Sequence, residues 1–106
     1  LQFVNVSNCN RDLLYTYQTI WKLANDLGYT QFENRVGDAI MDDHYYLYNY
    51  AKIPAIDIID FDYPNSEVNY WHTLQDIPEN CSTESLEAVG TVITQFIYRQ
   101  DAEYRP

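Results

Sequence analysis

His44 and His72 are the two imidazoles of this chain, and each stands in company that chemistry uses. His44 follows Asp42 and Asp43, while His72 lies in the run Tyr70-Trp71-His72-Thr73. Imidazole titrates near neutrality and is the commonest nitrogen donor to zinc. A histidine beside carboxylates can therefore bind a metal or move a proton, and a neighbouring indole can keep water away. A loop histidine taken alone is more often an ordinary hydrogen-bonded surface residue, so its place in the fold must add to the case. Eleven of the sixteen acids fall between Asp38 and Glu87. Most of them read as a solvated acidic surface. Asp57 is the exception, because it interrupts an apolar run, and a carboxylate held there must be paired or hydrogen-bonded or its pKa will rise. Structural pairing is the favoured reading of Asp57 over a direct catalytic role. Asp60-x-Asp62 has the opening of a calcium loop, but Pro64 takes the next ligand position and no glycine follows, so the signal is weak. Cys9 and Cys81 are too far apart for a zinc site built on close cysteine pairs, and their spacing leaves open both one disulfide and two free thiols.

The elements that must position these residues follow from periodicity and breakers. Residues 2–6 read as a short strand ending at Ser7-Asn8-Cys9-Asn10, a cluster that caps helices well. From Arg11 to Leu27, Leu13, Tyr17, Ile20, Ala24 and Leu27 recur at helical spacing, with Leu14 and Trp21 widening the face, and Gly28 ends the helix. The stretch TQFENRVGD reads as a loop. Met41-Asp42-Asp43-His44 leads into a short helix over YYLYNYAK, with carboxylates at its positive end. The run from Ile53 to Asp60 is continuous and rich in isoleucine, which predicts a parallel strand buried on both faces. Some twenty residues of irregular chain then carry Trp71 and His72, a length usually functional or disordered, and the aromatic content argues against disorder. Ser82 caps a last helix from Thr83 to about Gln100, with Leu86, Val89, Ile93, Phe96 and Ile97 on one face. His72 therefore stands beyond the carboxyl end of a strand, where open α/β sheets bind ligands.

Composition bounds the rest. The chain has 106 residues and a formal net charge of −10, which excludes the basic stripe that nucleic acid requires. Its length fits one domain with one modest core, and 46% hydrophobic residues argue against disorder. No apolar run is long enough to span a membrane, and no secretory leader is visible. The first residue is Leu1, so the chain is expected to be a piece of something longer. Eleven tyrosines are best read as rings packed at the edge of a core with their hydroxyls in water, rather than as a dedicated aromatic platform.

Three segments in order, AIMDDHYYL, IPAIDIIDFDYP and YWHTLQDIPENCSTESLEAVG, resemble the C-terminal part of the zinc-dependent glutaminyl cyclases and the bacterial aminopeptidase-like proteins related to them. The likeness runs from about Ser7 to Arg99. It implies an α/β class, with residues 1–106 as one partial domain: the C-terminal portion of a three-layer α/β/α zinc-exopeptidase fold, an incomplete sheet flanked by helices. It also implies that His72 is a zinc ligand, that Asp42 belongs to the catalytic hydrogen-bond network, and that Trp71 lines the substrate pocket. The family's other two zinc ligands and its general-base glutamate lie in the preceding half, which is outside this sequence, and none of the six Glu here matches that motif.

The function so implied is part of a zinc-dependent aminopeptidase or glutaminyl-peptide cyclotransferase acting on peptide N-termini, inactive as an isolated chain. The alternative is a non-catalytic remnant or self-associating module of the same fold. Exposed helix faces and open sheet edges predict a homo-oligomer, most simply a dimer. Family habit and the two cysteines suggest an exported, periplasmic or cell-envelope setting.

Overall fold

The computed structural model describes residues 2–4, 11–37 and 40–104. Among these described residues three helices carry most of the order: α1 (Arg11–Asp26), α2 (Asp43–Ala51) and α3 (Thr83–Tyr104). They are joined by a small mixed sheet of β1 (Gln2–Val4), β2 (Val36–Gly37) and β3 (Ile58–Ile59). The strand order is β2-β1-β3.

Gly28 ends α1 by the mechanism its sequence announces. Its φ is +85°, and the chain closes in a Schellman arrangement in which Tyr29 N–H donates to the Ala24 carbonyl at 2.9 Å and Gly28 N–H to that of Asn25 at 3.0 Å. A Cβ at Gly28 would meet no atom within 4 Å, so the cost of one is backbone strain alone. Gly28→Ala is expected to lower stability by about 1 kcal/mol in a urea titration, with the helical circular dichroism unchanged.

α1 packs against α3. Ile20, Trp21, Leu23 and Ala24 on one side, Ala88 and Val92 on the other, and Phe32 from the intervening loop make one buried cluster. Ala88 lets the two helices approach closely. Trp21 is held at both ends of its ring system: Nε1 donates to the Glu33 carbonyl at 2.8 Å, while Tyr17 and Phe32 meet its faces and edge at centroid distances of 4.7 and 5.1 Å. Some expected core residues lie elsewhere. Leu14, Leu27, Leu86 and Ile97 are exposed, because the stripe of α3 that meets α1 runs through Ala88 and Val92, and Leu86 is turned away from it. Val89, Ile93 and Phe96 pack on the cluster as expected.

The sheet departs from expectation in two ways. The stretch read as a loop contains β2, which pairs in parallel with β1 through Phe3 to Val36 and Val4 to Gly37. The expected parallel strand over 53–60 is reduced to β3, which runs antiparallel to β1 with Gln2 opposite Ile59. Ile53 is exposed, and Pro54 has no N–H to give a ladder. Alternation explains the continuous apolar run. Ile56 and Ile58 pack on the helical core, while Ile59 faces a cleft and Asp57 faces His44, so both sides are used but only one is core. Beyond β3 the chain is irregular to residue 80 apart from a Pro64–Asn69 bridge and a short 3-10 turn at Pro78–Asn80. Helix α3 follows, with Ser82 Oγ accepting from Ser85 N–H at 3.2 Å. It continues past Gln100 to Tyr104, since no breaker intervenes.

Candidate functional site

A cleft of about 450 Å³ is lined by Ile40, Met41, Asp42, Ile59, Phe61, Trp71 and His72. Three residues singled out by sequence, Asp42, Trp71 and His72, thus share one cavity although they come from two separate segments.

Each is placed by local physics. Asp42 is the N-cap of α2: its backbone is extended, and Oδ1 accepts from Asp43 N–H at 2.7 Å, which satisfies an orphan donor of the first turn and sets a carboxylate at the positive end of the helix dipole. Trp71 and His72 are the central residues of a turn closed by Thr73 N–H donating to the Tyr70 carbonyl at 3.0 Å. Thr73 Oγ1 donates to the same carbonyl at 2.6 Å, and Asn69 Oδ1 accepts from Trp71 N–H at 2.8 Å. His72 holds φ at +59°, the left-handed region that a glycine would favour at this turn position. Placing a histidine there costs roughly 1–3 kcal/mol, and such strain concentrates at functional sites. The Trp71 and His72 rings stack at 3.9 Å, and Phe61 meets Trp71 edge-on at 6.4 Å, which gives the cleft an aromatic wall.

Behind the cleft lies a second group of polar side chains. His44 is buried, and its Nδ1 stands 3.4 Å from Asp57 Oδ2. Burial raises the Asp57 pKa; His44 opposes that, and the carboxylates of Asp42 and Asp43 add to the rise. His44 is thus the neighbour that Asp57 meets, but the two facing atoms make no hydrogen bond, and the carboxyl is raised as expected of one that is incompletely paired. Sequence pointed to both residues separately and not to their contact.

The weaker motifs resolve locally. Asp60 Oδ1 accepts from Asp62 N–H at 2.9 Å, a turn contact, and Asp62 pairs with the Arg35 guanidinium at 2.6 Å, so both carboxylates have protein partners. Cys81 is an exposed free thiol, and Cys9 lies outside the described residues. Cys81 adjoins Tyr63 in a second cleft of about 410 Å³. There burial, Cys81 and Asp76 push the Tyr63 hydroxyl up to about 12.

Among the described residues no three His, Cys, Asp or Glu side chains gather as donors for a metal. A zinc centre needs three protein donors, so the described residues do not compose one by themselves; of the groups able to ligate a metal, His72 and Asp42 line the cleft. Among the described residues no helix is long and apolar enough to cross a membrane.

Two solved structures resemble this chain. A Tannerella forsythia glutaminyl cyclase superposes with a TM-score of 0.71 at 39% identity, over 80% of this chain and 30% of that one. A Zn-dependent exopeptidase from Parabacteroides distasonis superposes at 0.75 with 37% identity, over 92% of this chain and 34% of that one. The chain thus spans about a third of the length of these solved structures. Comparison with curated proteins gives no match. Residues 3–97 fit the sequence profile of Peptidase family M28, and the chain belongs to that family.

Proposed function

We propose that this segment forms one wall of the active site of a zinc-dependent exopeptidase or glutaminyl cyclase that acts on peptide N-termini. The observation that carries the reading is the convergence of Asp42, Trp71 and His72 on one aromatic-walled cleft. In this reading residues 1–106 are the C-terminal part of a three-layer α/β/α domain. Four-fifths or more of the segment aligns with about a third of each solved relative, in keeping with such a part.

His72 would be the donor this segment contributes to a zinc ion, which when bound polarises the attacked carbonyl of the substrate. Trp71 and Phe61 exclude water and present flat apolar faces to the first side chain of a peptide. Asp42 holds a carboxylate at the cleft edge, where it can orient the substrate's amine or amide or take its proton. The remaining donors and a general-base glutamate would come from the rest of the polypeptide, so the isolated segment is expected to be inactive.

Exposed apolar rings and aliphatics favour a second reading. Tyr46, Leu47 and Tyr50 on α2 and Tyr98 on α3 stand in solvent, which suits docking against the rest of a domain and equally suits self-association of an isolated, non-catalytic module. One set of measurements separates the two. Full-length protein containing the segment should bind zinc and, in a zinc-dependent way, either release N-terminal residues or cyclise an N-terminal glutamine, whereas the 106-residue chain should do neither. Full-length protein that binds no zinc and turns over neither substrate, with a segment that dimerises in light scattering, would establish the module instead.

A further inference from the structure

Trp71 and His72 stand exposed at the cleft wall, so core packing does not fix the backbone that carries them. His72 nonetheless holds φ at +59°, a conformation a histidine abandons unless its surroundings impose it. The hydrogen bond from Thr73 N–H to the Tyr70 carbonyl does not impose it, because such a bond closes turns with either sign of φ at the third residue. Two side chains supply more. Asn69 Oδ1 accepts from Trp71 N–H at 2.8 Å, and Thr73 Oγ1 donates to the Tyr70 carbonyl at 2.6 Å. That N–H and that carbonyl belong to one peptide unit, the one entering the turn, so its plane is gripped at both ends. Each grip is anchored in turn. Asn69 is bridged to Pro64, Thr73 Oγ1 also accepts from Gln75 N–H at 3.3 Å, and Tyr70 N–H donates to the Tyr63 carbonyl at 2.9 Å. Trp71 and His72 line the cleft, whereas Asn69 and Thr73 do not.

We propose that Asn69 and Thr73 are positioning residues: by fixing the peptide plane between Tyr70 and Trp71 they keep the His72 imidazole stacked on Trp71 at the cleft wall, in one pose ready for a metal ion. The inference rests on the reading of His72 as a zinc donor. A donor on a loop that must first be ordered binds more weakly, since the ordering entropy is lost when the metal arrives. With the entering plane fixed, the directions of the Trp71 and His72 side chains follow from the turn, and the two rings meet at 3.9 Å with 19° between their planes. Phe61, edge-on to Trp71 at 6.4 Å, backs the stack. Both side-chain hydrogen bonds are exposed to water, so neither is strong alone. Their effect comes from acting on the same plane, and losing both should cost more than losing either.

Thr73→Val removes the hydroxyl while keeping the side chain's shape and the backbone N–H, and Asn69→Ala removes the carboxamide. Proton NMR of the 106-residue chain reads the result without zinc or turnover: stacked on the Trp71 indole, the His72 ring protons should lie upfield of those of an unstacked histidine. Each single variant should move them part of the way back and the double variant all the way. Thr73→Ser and Asn69→Asp, which keep the donor and the acceptor, should leave them in place. His44, buried on α2, is the internal control and should not shift. In the full-length protein the double variant should weaken zinc binding about 10- to 100-fold, as loss of the outer partners of a metal ligand does, and Thr73→Ser with Asn69→Asp should retain it. His72 ring protons unmoved in the double variant overturn the proposal, and so does an unstacked ring with zinc affinity unchanged. Absence of zinc binding in the unmodified full-length protein overturns instead the reading of His72 as a donor, and the ring shifts then decide alone whether Asn69 and Thr73 hold the turn. If the short chain lacks helical circular dichroism, the same ring measurement is made on the full-length protein.

Discussion

Replacing His72 by alanine is expected to lower zinc-dependent turnover of the full-length protein by more than about 100-fold. Loss of a partner that merely orients a metal ligand typically costs 10- to 100-fold, and loss of a donor itself should exceed that. His72→Gly is the informative companion. His72 sits exposed at φ +59°, so glycine relieves strain that both histidine and alanine bear. The glycine variant should therefore be more stable than the parent, by up to about 1–2 kcal/mol, and just as inactive as the alanine variant. A purely conformational role for His72 would give the opposite result, with glycine preserving turnover. Bound zinc per chain and initial rates on an N-terminal peptide substrate are the measurements. Retention of both zinc and turnover in His72→Ala would remove this residue from the site.

The largest effect on stability is expected at Trp21, far from the cleft. Trp21→Ala removes the largest member of the buried cluster, opens the space between α1 and Phe32, and leaves the Glu33 carbonyl without its indole donor. Truncations of this kind cost about 3–5 kcal/mol. A domain of this size is stable by only about 5–15 kcal/mol in total, so the variant should unfold at a much lower urea concentration or fail to fold at all. Trp21→Phe keeps most of the ring contact and loses the hydrogen bond, which should confine the loss to about 1–2 kcal/mol. A drop below about 1 kcal/mol in Trp21→Ala would mean that α1 and α3 are not held together by this cluster.

Local signals carried much of the fold. The Gly28 stop, the Ser82 cap, the carboxylates ahead of YYLYNYAK and the helical spacing of the apolar residues are properties of a few adjacent residues, and a helix formed over each of the three segments they marked, α2 starting earlier, at Asp43, and α3 running on to Tyr104. The strands were less legible. β2 and β3 are two residues each and exist because β1 pairs with both, a fact that no window of sequence around Val36 or Ile58 contains. Isoleucines in series at 56, 58 and 59 look alike from sequence, yet Ile56 and Ile58 belong to the core and Ile59 to the cleft. Likewise Ala88 and Val92, the fully buried residues of α3, are smaller than the exposed Leu86 and Ile97, because close helix approach rewards lack of bulk at the contact.

For the site, the residue types and the three ordered segments of the family likeness were enough to single out Asp42, Trp71 and His72. Sequence by itself determined which side chains carry donors, carboxylates and aromatic faces, and where helices start and stop, because those depend on chemistry and on neighbours within a turn. Tertiary structure alone decided that these three share a cleft, that His72 adopts a left-handed backbone, and that His44 is buried against Asp57. Such contacts join residues distant in sequence through strand register and helix packing, which no local period encodes.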